Sequence, residues 1–468
     1  LALGEFEQAR LAVRDGRHEG LENDVAITNL IANYRTDWGQ FTSSSSWIDY
    51  EQSSLFDFSF FLGVPVDSAG TKLVESFIQE IRFSSDFDGP WQVLAGIYHE
   101  ERDSSRNFEL LFSGDPAFED TVIGFYTVPP LPDEFSSQQI FVDDVTQQAV
   151  FGEISYQLTD QLTATVGGRY FEYEQDAPIT TKGIFGDGFS TTMNEDSSSN
   201  FKANLSYNTS DETLIYGQWA EGFRLGAPQV LLAPSCVADS EGLYDTIDGV
   251  KISVPDSVAP DELENFEIGL KTTFADDRIS LNASIYRINW DGMPVQTGLA
   301  CGNSVIINAG ESRSEGVEVE SRILVADSLR LDLSASYSEA TLTEDAPGLG
   351  AGAVSGANLP GSADFNFNLG IEYDFSIKDI DAFARLDYSY VGEYFSNFTE
   401  IGQNSGDYSL VNLKIGGTLE GVSADIFINN LLNADDYTWT ESLFSQFGIS
   451  RAYQLRPRTI GLNLGYHF

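Results

Sequence analysis

Positive charge and long apolar runs are both scarce in this sequence. Its 468 residues include 25 Lys and Arg against 72 Asp and Glu, which gives a formal net charge of −47. A nucleic-acid partner is excluded, because a phosphate backbone requires a basic surface. No segment approaches the roughly 18 consecutive apolar residues of a membrane-spanning helix, so a helical membrane protein is excluded as well.

Cysteine and histidine are nearly absent. The two cysteines, Cys236 and Cys301, are too few for a disulfide scaffold or a cysteine-based zinc site. The three histidines, His18, His99 and His467, lie far apart in the sequence and give little support to a metal site or a Ser-His-Asp triad. The composition favours strands and turns instead, since 13% of the residues are aromatic and 42 are glycine.

The last ten residues, TIGLNLGYHF, alternate apolar and polar side chains. A period of two indicates a β-strand with one apolar face and one polar face. The same alternation recurs in LRLDLSASY (329–337), FEIGLKTTF (266–274) and VSADIFIN (422–429). A soluble antiparallel sandwich alternates in this way too, so one such segment does not decide between a soluble and a membrane protein.

Short turns and long polar segments alternate strictly along the chain. The short turns carry Asp, Asn or Gly where a hairpin requires them, as in TDWG (36–39). A soluble core could not bury so many long strands, whereas lipid covers the apolar outer face of a membrane barrel. We therefore predict an all-β fold, a transmembrane antiparallel β-barrel. The long segments lie at 105–146, 177–198, 221–262, 342–361 and 432–456.

The pattern predicts about 17 strands, an odd number. If the short turns are periplasmic, the first and last strands run in the same direction and cannot pair as antiparallel neighbours. We therefore expect further strands before the first one, with residues 1–23 as an external loop segment and 24–468 as a partial barrel. The strands are predicted at 24–35, 38–52, 72–86, 91–104, 147–158, 161–175, 199–207, 212–220, 263–275, 278–290, 303–325, 328–341, 362–375, 380–393, 405–418, 421–431 and 457–468.

Several stretches, in this order and spacing, resemble the TonB-dependent receptors of Gram-negative outer membranes. The resemblance implies a barrel of about 22 strands, filled by an N-terminal plug domain that follows a TonB-contacting segment. The visible strands plus about five absent ones would make up that number, and the plug would lie outside this chain. The stretches are FIQEIRFSS (77–85), WQVLAGIYHE (91–100), FGEISYQLTDQLTATVGGRYFEY (151–173), LIYGQWAEGFRLGAP (214–228), ENFEIGLKTTF (264–274), INAGESRSEGVEVE (307–320) and INNLLNADDY (428–437).

The resemblance implies an outer-membrane transporter, not an enzyme, with no cofactor. Its expected cargo is a scarce, bulky nutrient such as a ferric siderophore or another iron complex. Glycan or cobalamin-like cargo is an alternative, and so is a passive porin or a surface adhesion barrel. Expected partners are outer-membrane lipid and lipopolysaccharide, the TonB complex through the missing N-terminal region, and the cargo itself.

The final strand resembles the signal by which outer-membrane barrels are recognised for insertion. Its apolar residues stand at every second position and end on an aromatic side chain, although an ordinary closing strand would show the same pattern. Tryptophans near predicted strand ends, among them Trp47 and Trp290, are interpreted as interfacial aromatic girdles. The signal residues are Ile460, Leu462, Leu464, Tyr466 and Phe468.

Two pairs of residues are candidates for the external end of the barrel. Cys236 and Cys301 fall in loops on the same side, separated by one hairpin, and an oxidising envelope permits a disulfide between them. Two free thiols are the alternative. Phe223 and Arg224, at a strand-to-loop junction, are candidate ligand-binding residues, although Arg224 could instead pair with a lumenal carboxylate.

Overall fold

The computed structural model describes most of the chain as β-sheet. Within the described residues there is one antiparallel sheet of 17 strands, five two-stranded ribbons and a single 3-10 turn at Pro347–Leu349. None of their helical segments is long and apolar enough to cross a membrane. The described residues are 20–57, 66–112, 137–183, 187–229, 231–232, 236–246, 249–301, 303–308, 310–349, 352–396, 398, 404–444 and 449–466.

The strands of the large sheet fall into a tall group and a short group. The first seven, β1–β7, are 17 to 23 residues long. The remaining ten, β8–β17, are 8 to 16 residues long. The tall strands are β1 Gly20–Thr36, β2 Gly39–Asp57, β3 Val66–Ser85, β4 Trp91–Phe112, β5 Ser137–Gln157, β6 Leu162–Gly183 and β7 Gly188–Ser210. The short strands are β8 Thr213–Arg224, β9 Asp261–Phe274, β10 Ile279–Asp291, β11 Glu311–Ala326, β12 Leu329–Leu342, β13 Phe365–Ile377, β14 Ile380–Val391, β15 Tyr408–Leu419, β16 Val422–Asn429 and β17 Thr459–Tyr466.

Each strand pairs with the next one along the chain, from β1 to β17. The all-antiparallel fold and the number of strands confirm the sequence prediction. The first strand begins at Gly20, so the end of the predicted external segment 1–23 is already in the sheet, while residues 1–19 lie outside the described part.

We call the end of the sheet with the long connections the upper end and the end with the short turns the lower end. The sequence does not predict the upper ends of the tall strands. The sequence predicts long loops at 105–146 and 177–198, but β4, β5, β6 and β7 all extend into these segments. The reason is an inversion of the alternation. Lower on β6 the exposed apolar side chains, such as Val166, face outward, whereas at the top Ala177 and Ile179 are buried on the opposite, inward face. A search for outward apolar residues therefore ends the strands too early.

The outward faces of the strands are apolar and exposed at mid-height. Ile97 on β4 is 54% exposed, Val150 on β5 is 55% exposed and Val166 on β6 is 57% exposed. These three side chains lie on neighbouring strands and point to the same side of the sheet. In a membrane barrel, lipid covers such rows of large, exposed apolar side chains.

Glycines on the inward face let long side chains cross a whole strand. Lys202 on β7 passes over Gly167 on β6 and forms an ion pair with Glu153 on β5, and a Cβ on Gly167 would lie 2.9 Å from the Lys202 Cε. In the same way Tyr286 crosses Gly316, and its hydroxyl donates to the Ser338 Oγ at 2.9 Å. The GGRY and SEGVEV stretches therefore have a packing role.

Candidate functional site at the long-loop end

Three connections of the short strands fold into one layer, here called the cap. They are the described residues within 225–260, 292–310 and 343–364, which follow β8, β10 and β12. Short antiparallel ribbons give the cap regular backbone hydrogen bonding. The ribbons pair Ala227–Pro228 with Ser257–Val258, Tyr244–Asp245 with Lys251–Ile252, and Pro294–Gly298 with Ser304–Asn308.

The cap has two small apolar cores of its own. One contains Ile252, Leu299 and Val305, and the last two are at most 1% exposed. The other contains Met293, Leu342, Ala346 and Ala353, with Trp290 packed against it. Loops that bury their own side chains hold a fixed shape, so the cap is a packed layer rather than a set of independent loops.

A disulfide joins Cys236 to Cys301 within the cap, with a Cα–Cα distance of 5.2 Å and a sequence separation of 65. Cys301 also packs against the core that contains Leu299. In the chain-entropy model, closing a loop of this size stabilises the folded state by about 4 kcal/mol. The structure thus brings together the two cysteines that the sequence analysis paired.

Arg224 is held by a carboxylate at the edge of the cap. Its Nε and Nη2 donate to Asp261 Oδ1 at 2.9 Å and Oδ2 at 2.8 Å, and the Asp261 side chain is 6% exposed. The Trp290 Nε1 donates to the same carboxylate at 2.5 Å, and the Trp290 ring lies 5.4 Å from the guanidinium. Arg224 thus pairs with a carboxylate, which is the alternative to a ligand-binding role stated above. The girdle interpretation of Trp290 is wrong, because its side chain lies on the face opposite the exposed Ile285 and contacts Asp261 and Arg224 on the inward side.

Phe223 lies in an aromatic cluster that faces inward. Its ring stacks on Phe171 of β6 with centroids 3.7 Å apart and planes 10° from parallel. Tyr173 and Tyr98 pack in the same cluster, and Phe171 and Tyr173 are 1% and 3% exposed. The Arg169 guanidinium lies 4.8 Å from the Tyr98 ring. Phe223 thus anchors the start of the cap on the tall strands.

A split in the sheet allows Phe223 to reach β6. The pairing of β7 with β8 ends at Lys202 and Ala220, whereas the described part of β7 continues upward to Gly188 beside β6 alone. At the split the Glu221 carboxylate accepts a hydrogen bond from the Phe201 backbone N–H at 2.8 Å. This carboxylate replaces the missing strand partner, and no local sequence signal indicates it.

The INNLLNADDY stretch forms a lock at the top of β16. Asn430 is 3% exposed with φ of 51°, and its Nδ2 donates to the carbonyls of Ala434 at 2.7 Å and Arg456 at 2.9 Å. Its Oδ1 accepts from the Ala434 N–H at 2.8 Å. The side chain satisfies the backbone groups of the turn, so the motif is structural in this chain.

The predicted insertion signal lies on the outward edge of the last strand. Ile460, Leu462, Leu464 and Tyr466 are 60 to 72% exposed and alternate with inward residues on β17. Phe468, the fifth predicted residue, lies outside the described part of the chain. The placement is compatible with an insertion signal, which stays a prediction.

A charge network lines the lower inward wall, near the short turns. Arg385 on β14 crosses Gly370, and its Nη1 donates to Asp332 on β12 at 3.1 Å and to Glu372 on β13 at 3.4 Å. Arg330 pairs with the same two acids. The network borders an open cavity of about 610 Å³. Its charges are mutually compensated, so it offers no net charge to a ligand.

Comparison with known families gives one match over most of the chain. The family described as "TonB dependent receptor-like, beta-barrel" matches residues 6–431. This span contains all but one of the described strands of the large sheet.

Solved structures of outer-membrane receptors share the fold. The ferric yersiniabactin uptake receptor FyuA from Yersinia pestis superposes with a TM-score of 0.75 at 16% identity, covering 96% of this chain and 62% of that one. The siderophore receptor PiuA from Acinetobacter baumannii gives 0.71 at 16% identity, covering 95% and 64%. The copper transporter OprC gives 0.62 at 13% identity, covering 95% and 65%. The chain thus spans less than two thirds of the length of these proteins.

Proposed function

Since the chain belongs to the TonB-dependent receptor β-barrel family, whose members are receptors and transporters of the Gram-negative outer membrane, we propose that the intact protein imports an iron complex, such as a ferric siderophore, across that membrane. In this proposal lipid and lipopolysaccharide cover the outward apolar faces. TonB supplies the energy by acting on a plug domain inside the barrel.

The family match is the observation that carries the proposal. The structure adds support at the long-loop end, where a packed cap and an inward aromatic cluster line the mouth of the barrel. Such a mouth offers both polar and aromatic contacts to a large chelate. The names of two similar structures refer to ferric yersiniabactin and to a siderophore, and a third refers to copper.

Uptake of radioactive iron by cells tests the proposal directly. A strain that lacks the gene is compared with the same strain carrying it on a plasmid, under iron limitation and with a panel of ferric chelates. We expect the gene to restore uptake of at least one chelate, and deletion of tonB to abolish that uptake. Uptake that persists without TonB would indicate a passive porin. Equal uptake with and without the gene would contradict iron import.

A further inference from the structure

Two cations lie directly opposite each other on the inward face of the tall strands. Lys72 on β3 pairs in register with Arg106 on β4. Both point inward, because strand side chains alternate and the apolar Leu73, Ile81 and Ile97 mark the outward face. Both are exposed, at the upper part of the wall.

These two cations differ from most inward cations because they have no acidic partner. Arg102 and Lys202 each form an ion pair with a carboxylate on a nearby strand. In the described part of the chain neither Lys72 nor Arg106 does. The inward acid closest in register, Asp143, already accepts from Arg102 at 3.1 Å and from the Gln175 Nε2 at 2.6 Å. Like charges directly opposite each other across two strands are destabilising. An anion bound between Lys72 and Arg106 would therefore relieve their repulsion.

Aromatic rings flank the two cations. The Lys72 Nζ lies 6.0 Å from the centroid of the Tyr50 ring, and the Arg106 guanidinium carbon lies 5.9 Å from that of Phe141. The Tyr50 hydroxyl is fixed, because it donates to the Asn23 Oδ1 at 3.1 Å and accepts from Gln52 at 2.7 Å. We name Lys72, Arg106, Tyr50 and Phe141 the dibasic patch.

The outward face of the same strands has the opposite charge. Five acids stand directly opposite one another across β2 to β6, each in register with the next. On these strands the two faces of the sheet are therefore electrostatically distinct, and an anion is attracted only to the inward face. The outward acids are Asp49, Glu75, Asp103, Asp144 and Asp176.

We propose that the dibasic patch is a binding subsite for an anionic chelate, whose carboxylate or phenolate oxygens pair with Lys72 and Arg106 while its rings pack on Tyr50 and Phe141. The identification of the ligand as cargo rests on the proposed import function. Arg and Lys form charge-assisted hydrogen bonds to such oxygens, and the aromatic faces contribute apolar contact. The patch lies near the mouth, so a chelate that enters from the long-loop end would contact it before reaching the lower wall.

Two ferric chelates of similar size and different charge test the proposal on the full-length receptor in detergent. The probes are a trianionic ferric tris-catecholate and a neutral ferric tris-hydroxamate, both labelled with radioactive iron. We expect wild-type receptor to prefer the trianion and the double variant Lys72→Glu with Arg106→Glu to bind it at least about tenfold more weakly. Binding of the neutral chelate is expected to stay unchanged.

Matched variants separate the patch from general charge and folding effects. Lys182→Glu reverses one charge on the outward face of β6 and is expected to alter neither affinity; the single variant Lys72→Glu reverses one charge on the inward face and is expected to weaken trianion binding alone. The neutral variant Lys72→Gln with Arg106→Gln gives the same test if charge reversal disturbs folding. The exchange Lys72→Arg with Arg106→Lys is expected to retain the preference for the trianion.

Three results would overturn the subsite. They are a wild-type receptor with no preference for the trianion, unchanged trianion binding in the charge-reversed variant, and equal loss of both chelates. If neither chelate binds, the iron proposal fails by itself, and iron-free citrate then becomes the probe. Salt-sensitive citrate binding that disappears in the charge-reversed variant supports the subsite, and its absence in wild type refutes it.

Discussion

The tall strands β1–β7 and the short strands β8–β17 build the same end of the molecule in different ways. The tall strands continue upward as regular sheet, with backbone groups paired strand to strand along 17 to 23 residues. The short strands end lower and are completed by the cap, with its own apolar cores and a disulfide. In a wall made of strands the backbone is held by hydrogen bonds to the neighbouring strands, whereas a wall made of loops depends on apolar cores and cross-links for its shape.

Removal of the disulfide is expected to have the largest effect on this contrast. In the double variant Cys236→Ser with Cys301→Ser, the cap loses about 4 kcal/mol of loop-closure stabilisation. Hydrogen exchange should therefore become faster in residues 236–260 and 292–308, with no change at the upper ends of β4 to β6. A reducing agent should reproduce the result on wild type. Unchanged exchange in the cap would show that its two cores suffice.

The buried carboxylate of Asp261 should give the next largest effect. Arg224→Ala leaves this carboxylate with the Trp290 Nε1 as its side-chain donor among the described residues, and we expect a loss of about 2 kcal/mol in the free energy of unfolding. Urea titration of the receptor in lipid vesicles measures it. Arg278→Ala is the control, because its partner Asp327 is 97% exposed and the loss should stay below about 1 kcal/mol. Equal losses in the two variants would contradict the role of burial.

A smaller effect is expected when a methyl group is added to Gly167, the glycine over which the Lys202 side chain passes. Gly167→Ala places a methyl group where the Lys202 side chain lies and should weaken its ion pair with Glu153, at a cost of about 1 kcal/mol. Gly217→Ala is the matched control, because a Cβ there meets no heavy atom within 4 Å. The same titration compares them. A Gly217 variant as unstable as the Gly167 variant would point to backbone entropy or strain instead.

The smallest effect is expected at the exposed ion pair of the cap. The Lys251 ammonium and two backbone N–H groups lower the pKa of Asp239 from 3.8 to about 2. A depressed carboxyl pKa stabilises the fold above the unfolded pKa, and this stabilisation is lost as pH falls through about 4 towards 2. The ribbon that pairs Tyr244–Asp245 with Lys251–Ile252 should therefore open more readily in acid, and Lys251→Gln should reduce this pH dependence. Hydrogen exchange against pH measures both, and an unchanged profile in the variant would refute the pairing.

The sequence predicts the parts of the fold in which outward side chains are apolar. Alternation indicated 17 strands, and the topology alone paired Cys236 with Cys301. The upper ends of the tall strands were missed because Ala177 and Ile179 face inward there. The stack of Phe223 on Phe171 depends on the split between β7 and β8, which no local pattern encodes.

The sequence does not predict the dibasic patch either. Lys72 and Arg106 are 34 residues apart, and their opposition depends on the register of β3 and β4. A slip of one residue would move Lys72 to the outward face, beside the acids. The alternation of apolar and polar residues thus predicts where strands occur. The charge that neighbouring strands place on one face can be predicted only when the register of their pairing is known.

Spin-label accessibility along β5 in lipid vesicles tests the central claim most directly, namely that lipid covers the outward face and that the apolar alternation inverts at the top. Labels are placed one at a time at positions 138–156, with the native cysteines bonded to each other. We expect oxygen collisions to peak at Val150 and Ile154, and a water-soluble relaxant to reach Asp144 but not the buried Val145 and Ala149. Oxygen maxima at odd positions, or no period of two, would contradict the account.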